Sequence, residues 1–486
     1  MNPLVRLKET APVFLVTFLL ASFVILDGAR AVITDPQDYF PNFNTGAGQQ
    51  AFWNLREGTY NTGVGLFSLY TLLDGSYNTG VGAGALLFNI ADRNTASGAA
   101  ALLTNATGAD NTAIGTSALG QNIEGSWNTA VGSQALLLNT ADDNTATGFQ
   151  ALSNNTEGTD NTAVGSMALF SNTVAGRNTA IGFGALQSNA VGEDNTANGS
   201  SALSQNVEGT WNTAMGSQAL ALSTTDGNTA IGAFVLSSAT RGNYNTGIGS
   251  NALLNNTLGS NNVGIGRDSL GSNTTGDSNT AVGYGAGFTI TTGTANVALG
   301  AFAAKGVTTG YNVICIGDGV LGADVDNSTW VGNIWNVAPQ SGNTAPVVVS
   351  DGGQLGVVAS SERFKKDIAN MDHASEKILS LRPVTFHYKS DAKDTPQFGL
   401  IAEEVAKVNP ALVLRDKDAK PYSVRYDAVN AMLLNEFLKE HQKVEKLEAA
   451  LRAVNQRLSE QDAKIQKVSA QVEVSKPAPQ TVVNER

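Results

Sequence analysis

The stretch NTAVGSMALFSNTVAGR, residues 161–177, decides the fold, because the chain repeats it. The unit is N-T-A-[V/I]-G, then A-L, then N, then a Gly or Asp turn; NTAIGTSALGQNIEGSW at 111–127 is a second copy. The leading Asn recurs at 61, 78, 94, 111, 128, 144, 161, 178, 195, 212, 228, 245, 262, 279 and 296, always 16 or 17 residues apart. A fixed period too short for a helix pair means a solenoid. Its Gly, Asn, Thr, Val and Ile suit short strands joined by turns. Stacked coils place equivalent side chains above one another. The Ala at the third position and the Leu of A-L then fill a narrow interior, and the Asn residues form ladders. The fifth-position Gly supplies a bend that a Cβ would oppose. An outward, ligand-binding Asn ladder is the alternative, and the structural role is preferred for a repeat array.

Two departures from the unit are regular. The 16-residue units at 78, 128 and 212 end in Asp turns (NIADR, NTADD, STTDG), so an Asp closes the coil with one residue fewer. The fourth position is apolar in most units, as at Val64, Ile114, Val131 and Ile231, but polar at Ser97, Thr147 and Asn198, three repeats apart. The sequence offers no physical account of that spacing beyond duplication.

Outside the repeats the chain changes character. Residues 1–31 read as an export signal: Arg6 and Lys8, an apolar run at 11–26, and A-R-A at 29–31, so that the mature chain starts at Val32. A retained membrane anchor is the alternative; the short apolar run favours cleavage. Residues 32–60 read as an N-terminal cap, 61–300 as the solenoid, and 301–359 as a β-rich transition that caps it. There NSTWVGNIWNV and APVVVSDGGQLGVVAS read as β-hairpins. From Ser360 the composition becomes ordinary and charged. A small α+β domain is expected over 360–430, with a strand in RPVTFHYKS and a helix in GLIAEEVAKV that stops near Pro410. A coiled coil follows over 431–473, with Phe437, Val444, Leu451, Leu458, Ile465 and Val472 seven apart. Leu433, Leu447, Val454 and Val468 fill the companion seam, interrupted by Glu440 and Gln461. The tail, 474–486, reads as disordered. The fold class expected is therefore mainly β: a β-solenoid, a hairpin cap, then a small chaperone-sized α+β domain ending in a coiled coil.

Composition excludes several functions. A net charge of −12 without a basic stripe argues against a nucleic-acid partner. The one cysteine, Cys315, allows no intrachain disulfide and no cysteine metal site. His373, His387 and His441 are too scattered to form a ligand set, so no metal and no cofactor is expected. The acids of DVDN (324–327) are too few for a calcium site and read as a solvated turn.

The boundary segment ASSERFKKDI, 359–368, carries the candidate chemistry. A serine hydroxyl attacks only when a base takes its proton, and a neutral lysine amine is such a base. Ser360 and Lys365 offer that pair, though the spacing alone is a chance pattern. The blocks SSERFKKDI, LRPVTFHYK, FGLIAEEVAKVNPALV and VRYDAVNAML resemble the C-terminal intramolecular chaperone domain of phage endosialidase tailspikes and tail fibres, over 360 to about 455. That resemblance implies a self-cleaving Ser/Lys peptidase. Ser360 would be its nucleophile and Lys365 its base, with Arg363 between them and the cut between Ala359 and Ser360. Ser361 and Phe364 stand where the family commonly has Asp and Leu or Tyr; of the two serines, the spacing favours Ser360. The repeats resemble the β-roll heads of trimeric bacterial adhesins. Together these imply a homotrimer, exported to the cell surface or secreted, from a bacterial or phage-derived source. It would have a structural or adhesive task, a surface glycan or protein as ligand, and contact with a membrane only through the signal. One rival is a tailspike-like enzyme acting on polysaccharide, which needs paired carboxylates; Asp142, Asp143, Glu193 and Asp194 stand at turns and read as solvated. Another rival is a chaperone domain that assembles and never cuts.

Overall fold

The computed structural model describes residues 42–335, 337, 344–350 and 352–475. Residues 1–31, where an export signal is expected, and tail residues 476–486 lie outside them. The chain divides into two compact units, 1–339 and 340–486.

The first unit is a parallel β-solenoid. Each coil supplies one three-residue strand, from β1 (Thr45–Ala47) to β18 (Thr329–Val331), in a single 18-stranded sheet. Neighbours pair in register, as Thr162 with Thr179, Ala163 with Ala180 and Val164 with Ile181. Strands this short hold because the turns continue the ladder. Thr162 N–H donates to Asn178 O of the next coil at 2.9 Å, and Leu169 N–H to Ala185 O at 3.0 Å. Gly165 N–H reaches back to Thr147 O at 2.8 Å, and Arg177 N–H to Thr159 O at 3.0 Å. Each coil is thus fastened on both sides, which leaves few backbone groups to satisfy elsewhere.

The interior is the column of Ala and Leu that the repeat predicts: Ala163, Ala168 and Leu169, with their counterparts, are fully buried. Each buried Leu contributes about 2 kcal/mol of apolar burial. The Leu column also meets a backbone demand. Leu169 has φ 51°, in the left-handed region, as do its counterparts from Leu69 to Leu270. A β-branched side chain is disfavoured there, which explains why Leu, and not Ile or Val, recurs. At the fifth position Gly165 has φ +138°, and a Cβ would lie 2.4 Å from Gly182 O of the next coil. No other residue fits that approach.

Two Asn columns are buried beside the Leu column. In the first, Asn161 Oδ1 accepts from the backbone N–H of Asn178 at 3.0 Å, and Asn161 Nδ2 donates to Ala175 O at 2.8 Å. In the second, amide meets amide: Asn172 Nδ2 donates to Asn155 Oδ1 at 2.7 Å. The ladders are therefore structural, and the first spends its oxygen chiefly on backbone. The short coils close as the Asp turns suggest. Ser76, Ser126 and Thr210 N–H donate to Asp92, Asp142 and Asp226 Oδ1 at 2.8, 2.7 and 2.8 Å.

The ladder runs past both ends of the clearest repeats. Residues 44–60 form a full coil whose β1 pairs in parallel with β2 (Thr62–Val64). Downstream, NSTWVGNIWNV is not a hairpin arm; it supplies β18, parallel to β17 (Ile314–Ile316). The reason lies in DVDN. Asp324 Oδ1 accepts the N–H groups of Thr308, Thr309 and Gly310 at 2.8, 2.9 and 2.8 Å, and Asp326 Oδ1 accepts Tyr311 N–H at 2.9 Å. These acids pin the preceding coil and are not merely solvated. Burial alone would raise the Asp324 carboxyl, but the Thr308 hydroxyl and the three backbone donors hold it down at about 2.

The second unit opens with the expected hairpin, β19 (Val348–Val349) antiparallel to β20 (Leu355–Gly356). A small domain follows. β21 (Val384–Phe386) pairs with β22 (Gln397–Gly399), and β23 (Val413–Arg415) pairs with β24 (Pro421–Val424), both antiparallel. Helix α1 (Ala402–Val408) lies between the two pairs in sequence, and α2 (Tyr426–Val474) closes the unit. Ile378, Val405, Leu412, Val413, Val424 and Met432 form its core. Of the 49 residues of α2 only Met432 is buried.

Candidate functional site

The site is built on one tight turn. The chain leaves β20 extended, and Ser361 (φ −66°, ψ 142°) begins a 3₁₀ turn over Glu362–Phe364. Phe364 N–H donates to Ser361 O at 3.0 Å and Lys365 N–H to Glu362 O at 2.9 Å. That single turn folds the chain back on itself, so Lys365 Nζ donates to Ser360 Oγ at 3.2 Å. Arg363 lies elsewhere: its guanidinium carbon sits 4.6 Å from the centre of the Phe364 ring. Ser361 makes no side-chain cap bond. Ser360, Ser361, Arg363 and Lys365 are all exposed in the single chain.

The arrangement has the parts of an intramolecular acyl shift. Ser360 Oγ is joined through its own backbone to the Ala359 carbonyl, so attack there closes a five-membered ring. Lys365 Nζ stands at the oxygen whose proton must leave. A lysine amine serves as base only when neutral, a form that burial or a neighbouring cation favours.

Residues 360–414 match the family model of the chaperone of endosialidase, peptidase S74. The match begins at Ser360 and ends at Leu414 in β23. The endosialidase-chaperone segment thus holds the Ser–Lys turn, the β21–β22 pair and α1. No curated protein and no solved structure matches the chain.

Neither motif nor spacing signals a second polar cluster in this unit. Ser375 is buried; its Oγ donates to Glu436 Oε1 at 2.5 Å and accepts from Asn435 Nδ2 at 2.7 Å. Asn435 Nδ2 also reaches Asp372 O at 3.1 Å. Lys439 Nζ bridges Glu436 at 2.7 Å and Glu376 at 3.4 Å. Bonds from Lys439 and Ser375 hold the Glu436 carboxyl below its usual range. The cluster ties the 3₁₀ segment Asp372–Ser380 to the first turns of α2. Its partners lie about sixty positions apart and carry no motif, so only the fold reveals it. Beyond this anchor the heptad residues of α2 stand in solvent: Phe437 is 66%, Leu451 60% and Ile465 62% exposed.

Proposed function

We propose that this chain is an exported, homotrimeric β-solenoid whose C-terminal part assembles the trimer and then cuts itself free between Ala359 and Ser360. An endosialidase-chaperone segment behind a parallel β-solenoid fits a trimeric tail-fibre-like protein. The observation that carries the self-cleavage is the 3.2 Å contact of Lys365 Nζ with Ser360 Oγ at the first residue of the family match.

Assembly follows from α2. Its apolar residues recur at spacing seven and stand exposed, the condition that a parallel coiled coil relieves. Held together by three such helices, three growing solenoids would start in register. This matters because long-range β pairing is slow and exposes edges that aggregate. In the cut, Lys365 takes the Ser360 hydroxyl proton and Oγ adds to the Ala359 carbonyl carbon. The C–N bond breaks as the nitrogen receives that proton, leaving an ester from Ala359 to Ser360 and a free amine. Water then hydrolyses the ester to the Ala359 carboxylate and the Ser360 hydroxyl. The exposure of the pair in the single chain supports a cut that awaits assembly, when neighbouring copies cover the amine. Release of the chaperone removes the route back and traps the trimer kinetically.

Export rests on residues 1–31. The solenoid itself would be structural or adhesive, toward a surface glycan or protein. The turn acids do not favour the polysaccharide enzyme. Asp142 is spent on the Ser126 N–H, and Glu193 and Asp194 both pair with Arg177. Intact mass of wild type, Ser360→Ala and Lys365→Ala tests the reading. Wild type is expected to give residues 32–359 and 360–486, and both variants the uncut chain. An uncut wild type that is still trimeric would remove the peptidase and leave the chaperone.

A further inference from the structure

The solenoid presents one face that the proposal above leaves unused. In every strand from β2 to β17 the middle residue is buried, and the first and third residues face outward. The outward residues are Thr, Val or Ile at the first place. At the third they are Val, Ile, Leu or Met, with Ser97, Thr147 and Asn198 the exceptions. None of them is charged, in a chain with 72 charged side chains. The charges gather instead at the turns, as with Arg93, Asp110, Arg177 and Asp194. Most apolar residues at the third place are exposed, from Ile231 at 37% to Leu299 at 47%, and Val131, Ile248, Ile265 and Val282 are half-buried. At a strand spacing of about 4.8 Å the column runs for about 80 Å, and two outward residues make it about 10 Å wide. Three copies meeting along strips of roughly 800 Å² each would bury about 2,400 Å² in all, within the range of obligate oligomers.

Resting on the trimer reading, we propose that this strand face is the contact among three parallel copies of the solenoid, and that Ser97, Thr147 and Asn198 set their register. Copies of the same chain are the occupants that fit. An uncharged face on an acidic protein cannot attract a partner by charge, but it meets its own copies without repulsion. The uniform rise of the coils lets identical faces match along their whole length. That uniformity is also a hazard. A flat apolar array slides by one coil at little cost, as strands without distinguishing side chains do. Polar residues at a three-coil interval oppose this. In register each meets its own kind and can hydrogen-bond; a slip of one or two coils sets them against Val, Ile or Met, with their polar groups buried unpaired. A slip of three coils brings Ser97 opposite Thr147, and there the α2 seam, with its own heptad register, holds the chains. From Met215 to Val331 the third place has no polar residue, so register in that half comes from its neighbours.

Cross-linking of the full chain tests this, in a Ser360→Ala background that keeps the C-terminal part. Val164→Cys lies on the face and Val174→Cys lies off it; both sites are exposed, and the native Cys315 is buried. Mild oxidation is expected to convert most of the Val164→Cys chain to a disulfide-linked pair and to leave Val174→Cys single. Equal linking at both sites, or none at Val164→Cys in a species that sediments as a trimer, would overturn the interface. A species that sediments as a monomer would overturn the trimer reading itself. For register, Val131→Cys and Val164→Cys chains of different tag length are co-expressed. Only like chains should link, and unlike pairs should appear once Ser97, Thr147 and Asn198 are all changed to Val. If like-only linking persists in that triple variant, the three residues do not set the register.

Discussion

Replacement of Asn178 by Ala tests the physics of the solenoid at one point. Asn178 Oδ1 accepts the backbone N–H of Asn195 at 3.0 Å and its side-chain Nδ2 at 3.1 Å, while Asn178 Nδ2 donates to Gly192 O at 2.9 Å. All of this is shut away from water. The Ala variant removes three bonds and leaves the Asn195 N–H buried without a partner, while the Gly192 carbonyl keeps its bond from Asn189 Nδ2 at 2.9 Å. The orphaned donor costs roughly 1–3 kcal/mol, so the loss should be about 2–3 kcal/mol once the other two bonds are included. The effect should stay local, because a solenoid sums coil and nearest-neighbour terms. The matched control is Arg177→Ala, which breaks only the exposed pairs to Glu193 and Asp194 and should leave stability nearly unchanged. Denaturant unfolding gives the difference between the two. Peptide-resolved hydrogen exchange shows whether protection falls in the coils at 161–211 while distant coils are spared. If Asn178→Ala costs no more than Arg177→Ala, or if protection is lost evenly from end to end, the ladder does not carry the load assigned to it.

Leu169→Ile keeps the volume but puts a β-branched side chain at φ 51°; it should lower stability by about 1–2 kcal/mol, whereas Leu169→Met should be nearly neutral in the same melt. Asp324 is depressed to about 2 from 3.8, so its stabilisation is complete above about pH 4 and fades as pH falls toward 2. At this exposed turn it is worth about 1 kcal/mol, read as exchange at Thr308–Gly310 that quickens at low pH in the wild type and is fast at every pH in Asp324→Ala. Glu436→Ala removes the closer acceptor of the buried Ser375 hydroxyl, leaving only Asp372 O at 3.4 Å, and should lower stability, with early exchange confined to the first turns of α2.

Much of this was legible because the repeat states its physics many times over. Ala163, Leu169, Gly165 and Asn161 each recur in place, and a residue that recurs at one depth of a stack can only be answering the same demand. The Ser360–Lys365 pair was legible through its neighbours, since the two residues alone say little. What stayed hidden was whatever occurs once. The last strand, Thr329–Val331, lacks the N-T-A-x-G template, and its parallel pairing depends on Asp324 reaching back to three backbone amides. The first coil lies in the segment that reads as a cap, yet N-T-G-A-G at 44–48 follows the same template. The Ser375–Glu436 anchor joins residues far apart in sequence, and neither periodicity nor spacing signals such a contact. The left-handed Leu column is a different case: Leu reads as core whether or not the backbone demands it, so only the dihedral angle shows why Ile is absent.

The most direct test of the account is native mass measurement of the Ser360→Ala chain, which cannot cut and so keeps solenoid and chaperone together. A single species of three chains, persisting on dilution and lost when Leu451 and Leu458 on α2 are both changed to Asp, is the predicted result. A monomer at every concentration would contradict the account, because nothing would then explain a 49-residue helix with its heptad residues in water.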